Sequence, residues 1–435
     1  MRKPLLVLAC TAAVVALVAP GSYGATPGPS FAAPVLLTTD KYTGGYEPSV
    51  TVDRFNNIYA SAHKQNHNLV LSPDSRATVP VRSQSWLWTS KDGKTFTDMP
   101  GLTPLQEQNA EFGDEGDIAA DDAGRVYFVD TNVTDNSFSR YRATGNGQLV
   151  LETTRPIGPF GEPVDDRPWI AAHGDGVVMY VGNSGNRTYR GGSGDGDAYG
   201  PGRYTVYMSY DRGDTFDPLG VTLNDSGWCR PAADHRKGSK RLYVLCTNDG
   251  GKLWAYVSNN DGKTWSRHRM GTYSTKDTIA TYPWVSVGAD GTVYALYNDS
   301  VTRSGGPVES HLRLLSSKNG GRTWNEREVT PQPGMIRYSS IDVAPNGTVG
   351  IGYYFRPTTK SAWYVYAATA KPGQPFRSGK VSATPIASAD NSSPFGDFFQ
   401  VAYGPDNKLN VVYTSMNDDL LFEGLNSDIY YAREK

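Results

Sequence analysis

A hairpin that recurs seven times is what most narrows the folds open to this chain. Each copy is an apolar strand, a turn built on Gly, Asn or Asp, and a second strand ending in a polar residue. The copies begin at Glu47, Glu115, Arg167, Trp228, Tyr282, Tyr338 and Asp397. Steps between them run from about 52 to 68 residues, room for four short strands and their loops. A unit of this size cannot bury its apolar face alone and must stack on its neighbours. The 47 Gly, 28 Pro and 27 Tyr, with no long apolar stripe of helical period, fit many short strands joined by tight turns. The expectation is all-β: a β-propeller, seven blades favoured, with six as the alternative if one copy is a decorated insertion. The last blade has strands near Asp397, Leu409 and Ser427–Ala432 and lacks an outer one. Pro34–Thr38, ahead of the first copy, can supply it and close the ring, which removes exposed edges.

Charge excludes one class of partner. With 42 basic against 44 acidic residues there is no basic block, and nucleic acid is not an expected ligand. Residues 1–24 read as a signal peptide: Arg2 and Lys3, then apolar Leu5–Val18, then Ser22-Tyr23-Gly24 before a cleavage point near Gly24/Ala25. The apolar run is short for a membrane span and breaks at Pro20-Gly21. Cleavage would remove two basic residues, leaving a net charge of −4. Residues 25–435 are then a single propeller domain, expected to be secreted, monomeric and free of the membrane.

Cys10 leaves with the signal. Cys229 and Cys246 remain, placed symmetrically about a turn centred between Lys237 and Gly238, so they should face each other across the strand pair. In an exported hairpin that predicts a disulfide, with two free buried thiols as the alternative.

A second repeat lies between the hairpins: Thr89–Phe96, Ser209–Phe216, Ser258–Trp265 and Ser317–Trp324. It follows Ser-x-Asp-x-Gly-x-Thr-Trp, with Asn for Asp in two copies; the first copy departs, with Lys91 at the third position and Asp92 after it. The pattern resembles the Asp-box of the sialidase-like β-propeller superfamily. Physically it is a turn in which the Asp or Asn side chain caps amides and Gly supplies positive φ. The resemblance implies structural boxes away from the active site. It also implies a choice among sialidases, other glycosidases, polysaccharide lyases and binding proteins that fold alone does not make. The Arg-Ile-Pro motif of sialidases is absent, and those propellers have six blades.

Propeller geometry places the start of each first strand and the end of each second strand on one face, beside the central channel. There stand Glu115, Asp166 and Asp397 as candidate acids and Tyr338 as a candidate nucleophile or base. Arg167, Arg230, Arg337, Arg356 and His63 are candidate substrate-binding groups. Arginine forks suit a carboxylate and acids suit sugar hydroxyls; the alternative is a polar mouth around channel water. Removing Arg230 is expected to cost activity and spare the fold. The long loops 64–83 and 184–202 are placed to wall the site. No metal or cofactor is expected, although Asp195-Gly196-Asp197 offers Ca²⁺ oxygen ligands if it is more than a solvated turn.

Since the strand starts differ from blade to blade, one asymmetric site is expected. The reading is a sialidase-like glycoside hydrolase acting on a sugar that bears a carboxylate. The alternatives are a polysaccharide lyase on uronate-containing glycans, with His63 and Tyr338 or Tyr282 near the base position, or a non-catalytic glycan-binding propeller.

Overall fold

The computed structural model describes residues 27–39, 43–66, 85–99, 115–131, 136–144, 149–157, 166–183, 204–224, 227–248, 251–273, 283–302, 308–329, 332–390, 396, 398–416 and 427–435. The proposed signal peptide, Asp397, Tyr282 and the Asp195–Asp197 run lie outside them. Of Glu115, Asp166 and Arg167 the backbone alone is described.

Seven antiparallel four-stranded sheets form a seven-bladed β-propeller. The inner strands, in blade order, are Thr43–Val52, Glu115–Ala120, Asp166–His173, Cys229–Ala233, Trp284–Val287, Met335–Val343 and Gln400–Tyr403. Each packs on the next, and the seventh returns to the first. Val35–Leu36 pairs with Asp428–Arg433 as the outer strand of blade 7, so the ring closes through the N-terminal segment. Thr38 fastens that closure: its hydroxyl donates to Asp428 at 2.6 Å and accepts the Ile429 amide at 3.1 Å.

Inner strands pose a problem that the other strands do not. One edge of each faces the channel, where no further strand can take its N–H groups. Side chains of the preceding blade supply part of the answer. Asp117 of blade 2 accepts from the Ile170 amide of blade 3, and Gln400 of blade 7 from the Val50 amide of blade 1, both at 3.0 Å. Ser340 and Asp342 of blade 6 accept from the Val401 and Tyr403 amides of blade 7, at 3.2 and 2.7 Å. Polar residues on the inner strands thus stitch the ring.

The turns follow their chemistry. Asp53 caps the Phe55 and Asn57 amides and accepts the buried Tyr59 hydroxyl; Asp121 does the same for Ala123, Arg125 and Tyr127. In the second repeat Asp211 takes the Thr215 amide and hydroxyl at 2.8 and 2.7 Å. Asn260 and Asn319 take the same amide bond and donate to the threonine hydroxyl instead, at 2.8 Å. Asp and Asn interchange because the hydroxyl can donate or accept. The first copy is one residue shorter. Counted from Ser90, Asp92 takes the capping position and accepts from the Lys94 and Thr95 amides, both at 2.8 Å.

Cys229 and Cys246 are register partners and form a disulfide. Replacing both with serine is expected to lower stability by about 2–4 kcal/mol, since it frees a short loop in the unfolded chain. Unfolding midpoints in urea check this. A thiol count on the denatured, unreduced mature protein is expected to read zero.

Candidate functional site

The channel is not open from end to end. Near the strand starts it is filled by Trp169 of blade 3, Trp284 of blade 5 and Phe398 of blade 7, with Arg230 of blade 4 among them. The Arg230 guanidinium carbon lies 3.2 Å from the Trp169 ring centre, 3.6 Å from that of Trp284 and 5.3 Å from that of Phe398. Trp169 and Phe398 meet edge to face at 4.9 Å. One Arg230 nitrogen is 3.6 Å from Asp117 of blade 2, and both residues are fully enclosed. Burial pushes the Asp117 carboxyl up, and the Arg230 charge is the largest influence holding it down. Five blades therefore meet in one plug.

This changes the expected picture of the site. Among the described residues, large rings that pack on a cation occupy the strand-start end of the inner strands. The open cavity, about 530 Å³, lies on the other side of the plug and opens toward the turns that follow the inner strands. Among the described candidate site residues, only Arg230 lines it. Arg230 is engaged on both faces and along its edge by protein groups, so its removal must disturb the fold, contrary to the expectation from sequence.

The other candidates fall into two groups. Arg337, Tyr338 and Arg356 all belong to blade 6. Tyr338 sits in a β-bulge between Arg337 and Ser339, with φ +44°. Arg356 is the register partner of Met335 one strand over and is buried. It stacks on Trp363 at 4.5 Å and donates to the Ala389 carbonyl at 3.2 Å. Burial holds the Arg356 pKa below the usual arginine value, and the like charge of Arg337 adds to that. Arg337 is half-exposed. Two guanidiniums that repel each other at one mouth are eased by an anion. His63 of blade 1 is buried, the register partner of Tyr46, with its ring edge-on to that of Tyr46 at 4.2 Å.

Sequence reasoning gave Glu47 no role, and the structure draws attention to it. Glu47 is buried at the start of blade 1, also in a bulge, with φ +50°. Gly396, just before Asp397, approaches so closely that a Cβ there would lie 2.7 Å from the Glu47 Cγ. Tyr354 sits beside both bulges. It meets Tyr338 edge to face at 5.9 Å, stacks on Phe399 at 4.6 Å, and its hydroxyl accepts the Thr414 amide at 3.0 Å. Burial pushes its phenol up, and Tyr338 and Glu47 add to the push. Blades 6, 7 and 1 thus bring a tyrosine and a glutamate, both at positive φ, to one face. Non-glycine residues there cost about 1–3 kcal/mol each and persist where surrounding structure holds them. A bulge also marks Asp166–Trp169, the segment that carries Arg167.

Among the described residues, no group of three or more His, Cys, Asp or Glu is placed to hold a metal.

No family model matches the chain, and no curated protein sequence matches it. Solved structures do match its fold. A protein of unknown function from Dyadobacter fermentans superposes with TM-score 0.50 at 15% identity, over 94% of this chain and 99% of that one. An ulvan lyase bound to -[GlcA(1-4)Rha3S]- gives 0.49 at 12% identity, over 93% and 94%. The NanB sialidase of Streptococcus pneumoniae gives 0.46 at 11% identity, over 93% and 70%. At these identities the likeness is one of fold.

Proposed function

We propose that this chain is a secreted, glycan-active propeller of the sialidase-like kind, working on a sugar that bears a carboxylate at the strand-start face of blades 6, 7 and 1. The observation that carries the reading is the pair of strained bulges, Tyr338 and Glu47, beside Arg337 and Arg356. The four capped Ser-x-Asp/Asn turns support the superfamily resemblance. Arg337 receives the carboxylate, backed by the buried charge of Arg356. In a hydrolase the Tyr338 hydroxyl gives its proton to one carboxylate of this face and its oxygen attacks the anomeric carbon while the bond to the leaving-group oxygen breaks. That oxygen takes a proton from a carboxylic acid, for which Glu47, Glu115, Asp166 and Asp397 are the candidates, and water then releases the sugar from tyrosine. In a lyase the same arginine would hold a uronate carboxylate, Tyr338 as its phenolate would take the proton from the carbon next to it, and the bond to the leaving-group oxygen would break as the double bond forms, that oxygen then taking a proton.

Screening the secreted protein on sialosides, uronate polysaccharides and neutral glycans separates these. New reducing ends or free sialic acid without absorbance near 235 nm is the expected result. Unsaturated product would replace the hydrolase with the lyase, and binding without turnover would leave a lectin. Silence on every glycan in both assays would remove the proposal.

A further inference from the structure

At the other end of the channel, one residue ties four blades, three through its carboxylate and the fourth through its main-chain carbonyl. Asp122 lies in the turn after the inner strand of blade 2. Its Oδ1 is 2.8 Å from Nδ1 of His235, in the corresponding turn of blade 4. Its Oδ2 accepts the Gly174 amide of the blade 3 turn at 2.6 Å. Arg54, in the blade 1 turn, donates to the Asp122 carbonyl at 2.9 Å. The bond to His235 passes over blade 3 altogether. Asp342 plays the matching part for blades 5, 6 and 7, accepting the Ser286 hydroxyl at 2.6 Å and the Tyr403 amide at 2.7 Å. The two differ in one respect. A hydroxyl and an amide keep their protons at any ordinary pH, whereas an imidazole does not.

We propose that Asp122 and His235 form a pH-operated latch on the turn-side mouth of the channel, shut when the imidazole is charged and loosened when it is neutral. A charged imidazole gives Asp122 a charge-assisted hydrogen bond; a neutral one leaves a weaker bond or, in the other tautomer, none. The mouth is where loosening can be felt, because the cavity opens there and His235 and Arg236 line it with the Asp122 turn.

The surrounding charges have other partners or add to the effect. Arg236 is held by Asp234 at 2.7 Å, and Arg54 by the Asp122 carbonyl. Asp53 and Asp121 cap their own turns, and Asp290 caps the Thr292 amide. His173 of blade 3 is kept neutral longer by burial, against the pull of Asp261 at 3.4 Å. Burial pushes the Tyr403 phenol of blade 7 far above neutral pH. Desolvation at the mouth also opposes a charge on His235, whose side chain is 52% exposed, but the bond and charge of Asp122 outweigh it, with Asp342 and Asp234 contributing, and its pKa rises above the ordinary value. The Asp122 carboxyl is lowered despite its own burial, by His235 first and then the Gly174 amide.

The signs fix the window. A raised histidine contributes stability in full below its ordinary pKa of about 6.5 and loses it as pH rises through the raised value. A lowered aspartate contributes above about 3.9 and loses it as pH falls through the lowered value. The latch is therefore shut in mildly acidic solution and loosens on the alkaline side. Asp117 and Asp342, both raised by burial, add slopes of their own as pH rises above about 3.9.

Hydrogen–deuterium exchange on the unmodified protein tests this without any variant. Exchange at the His235 ring carbon, followed by mass spectrometry against pH, reads its pKa directly, and a value above 6.5 is expected. The Gly174 amide, corrected for intrinsic rate, is expected to exchange several-fold faster above that pKa than below it. Asp122→Asn should bring His235 down to or below the ordinary value and flatten the Gly174 response. A His235 that titrates at or below 6.5 in the unmodified protein, or a Gly174 amide indifferent to its titration, overturns the latch.

Discussion

Replacing Arg230 with alanine is expected to cost about 3–5 kcal/mol of stability, the range for stripping one partner from a buried ion pair. The guanidinium is sandwiched between Trp169 and Trp284 and lies 3.6 Å from Asp117. Its loss has two effects. Asp117 remains enclosed with no compensating charge and must take up a proton or stay ionised at a penalty. Three rings from three blades also lose the group they pack on, which leaves a void where the channel should be filled. Asp117→Asn should cost less, because an amide oxygen can still accept the Ile170 amide. Arg230→Met combined with Asp117→Asn should recover much of the loss, since packing is partly restored and neither charge is left behind. Urea midpoints of the parent, Arg230→Met, Asp117→Asn and the double variant form a double-mutant cycle, with Arg230→Ala measured beside them. An alanine variant unfolding at the same midpoint as the parent would show that the plug does not hold the ring.

What the sequence made legible was local. The cysteines lie in register because the hairpin around Lys237 and Gly238 is short and symmetric, and the structure pairs them directly. The capped turns are written in Ser, Asp or Asn, Gly and Thr within eight residues. The closing strand was legible at Val35–Leu36 because blade 7 was one strand short. What stayed hidden depends on distance or on a single extra residue. The partners of Arg230 come from blades 2, 3, 5 and 7, and nothing near position 230 names them. The bulges at Glu47 and Tyr338 leave the apolar alternation almost intact, so the pattern does not announce them. Reading the strand starts as a polar channel mouth therefore missed the packed rings of Trp169, Trp284 and Phe398 around Arg230. Asp397 lies outside the described residues, and of Glu115, Asp166 and Arg167 only the backbone is placed.

Tyr338→Phe is expected to lower kcat/KM on whichever glycan the protein cleaves by about 10²–10⁴, the usual loss when a group that moves a proton or forms the covalent bond is removed. The substitution is chosen because it separates chemistry from folding. Tyr338 is buried against Tyr354, and phenylalanine keeps that edge-to-face contact. The positive φ is set by the bulge between Arg337 and Ser339, so the backbone strain is the same in both proteins. The unfolding free energy should accordingly fall by no more than about 0.5–1.5 kcal/mol, the net worth of one hydroxyl's hydrogen bond. Arg337→Ala should divide differently. If Arg337 receives the carboxylate in ground state and transition state alike, KM rises with kcat little changed. A loss in kcat for Tyr338→Phe and a rise in KM for Arg337→Ala would assign the two neighbours to different tasks on one bulge. A phenylalanine variant as active as the parent would mean that the strain at Tyr338 aims some other side chain, with Glu47, across blade 7, next to be replaced.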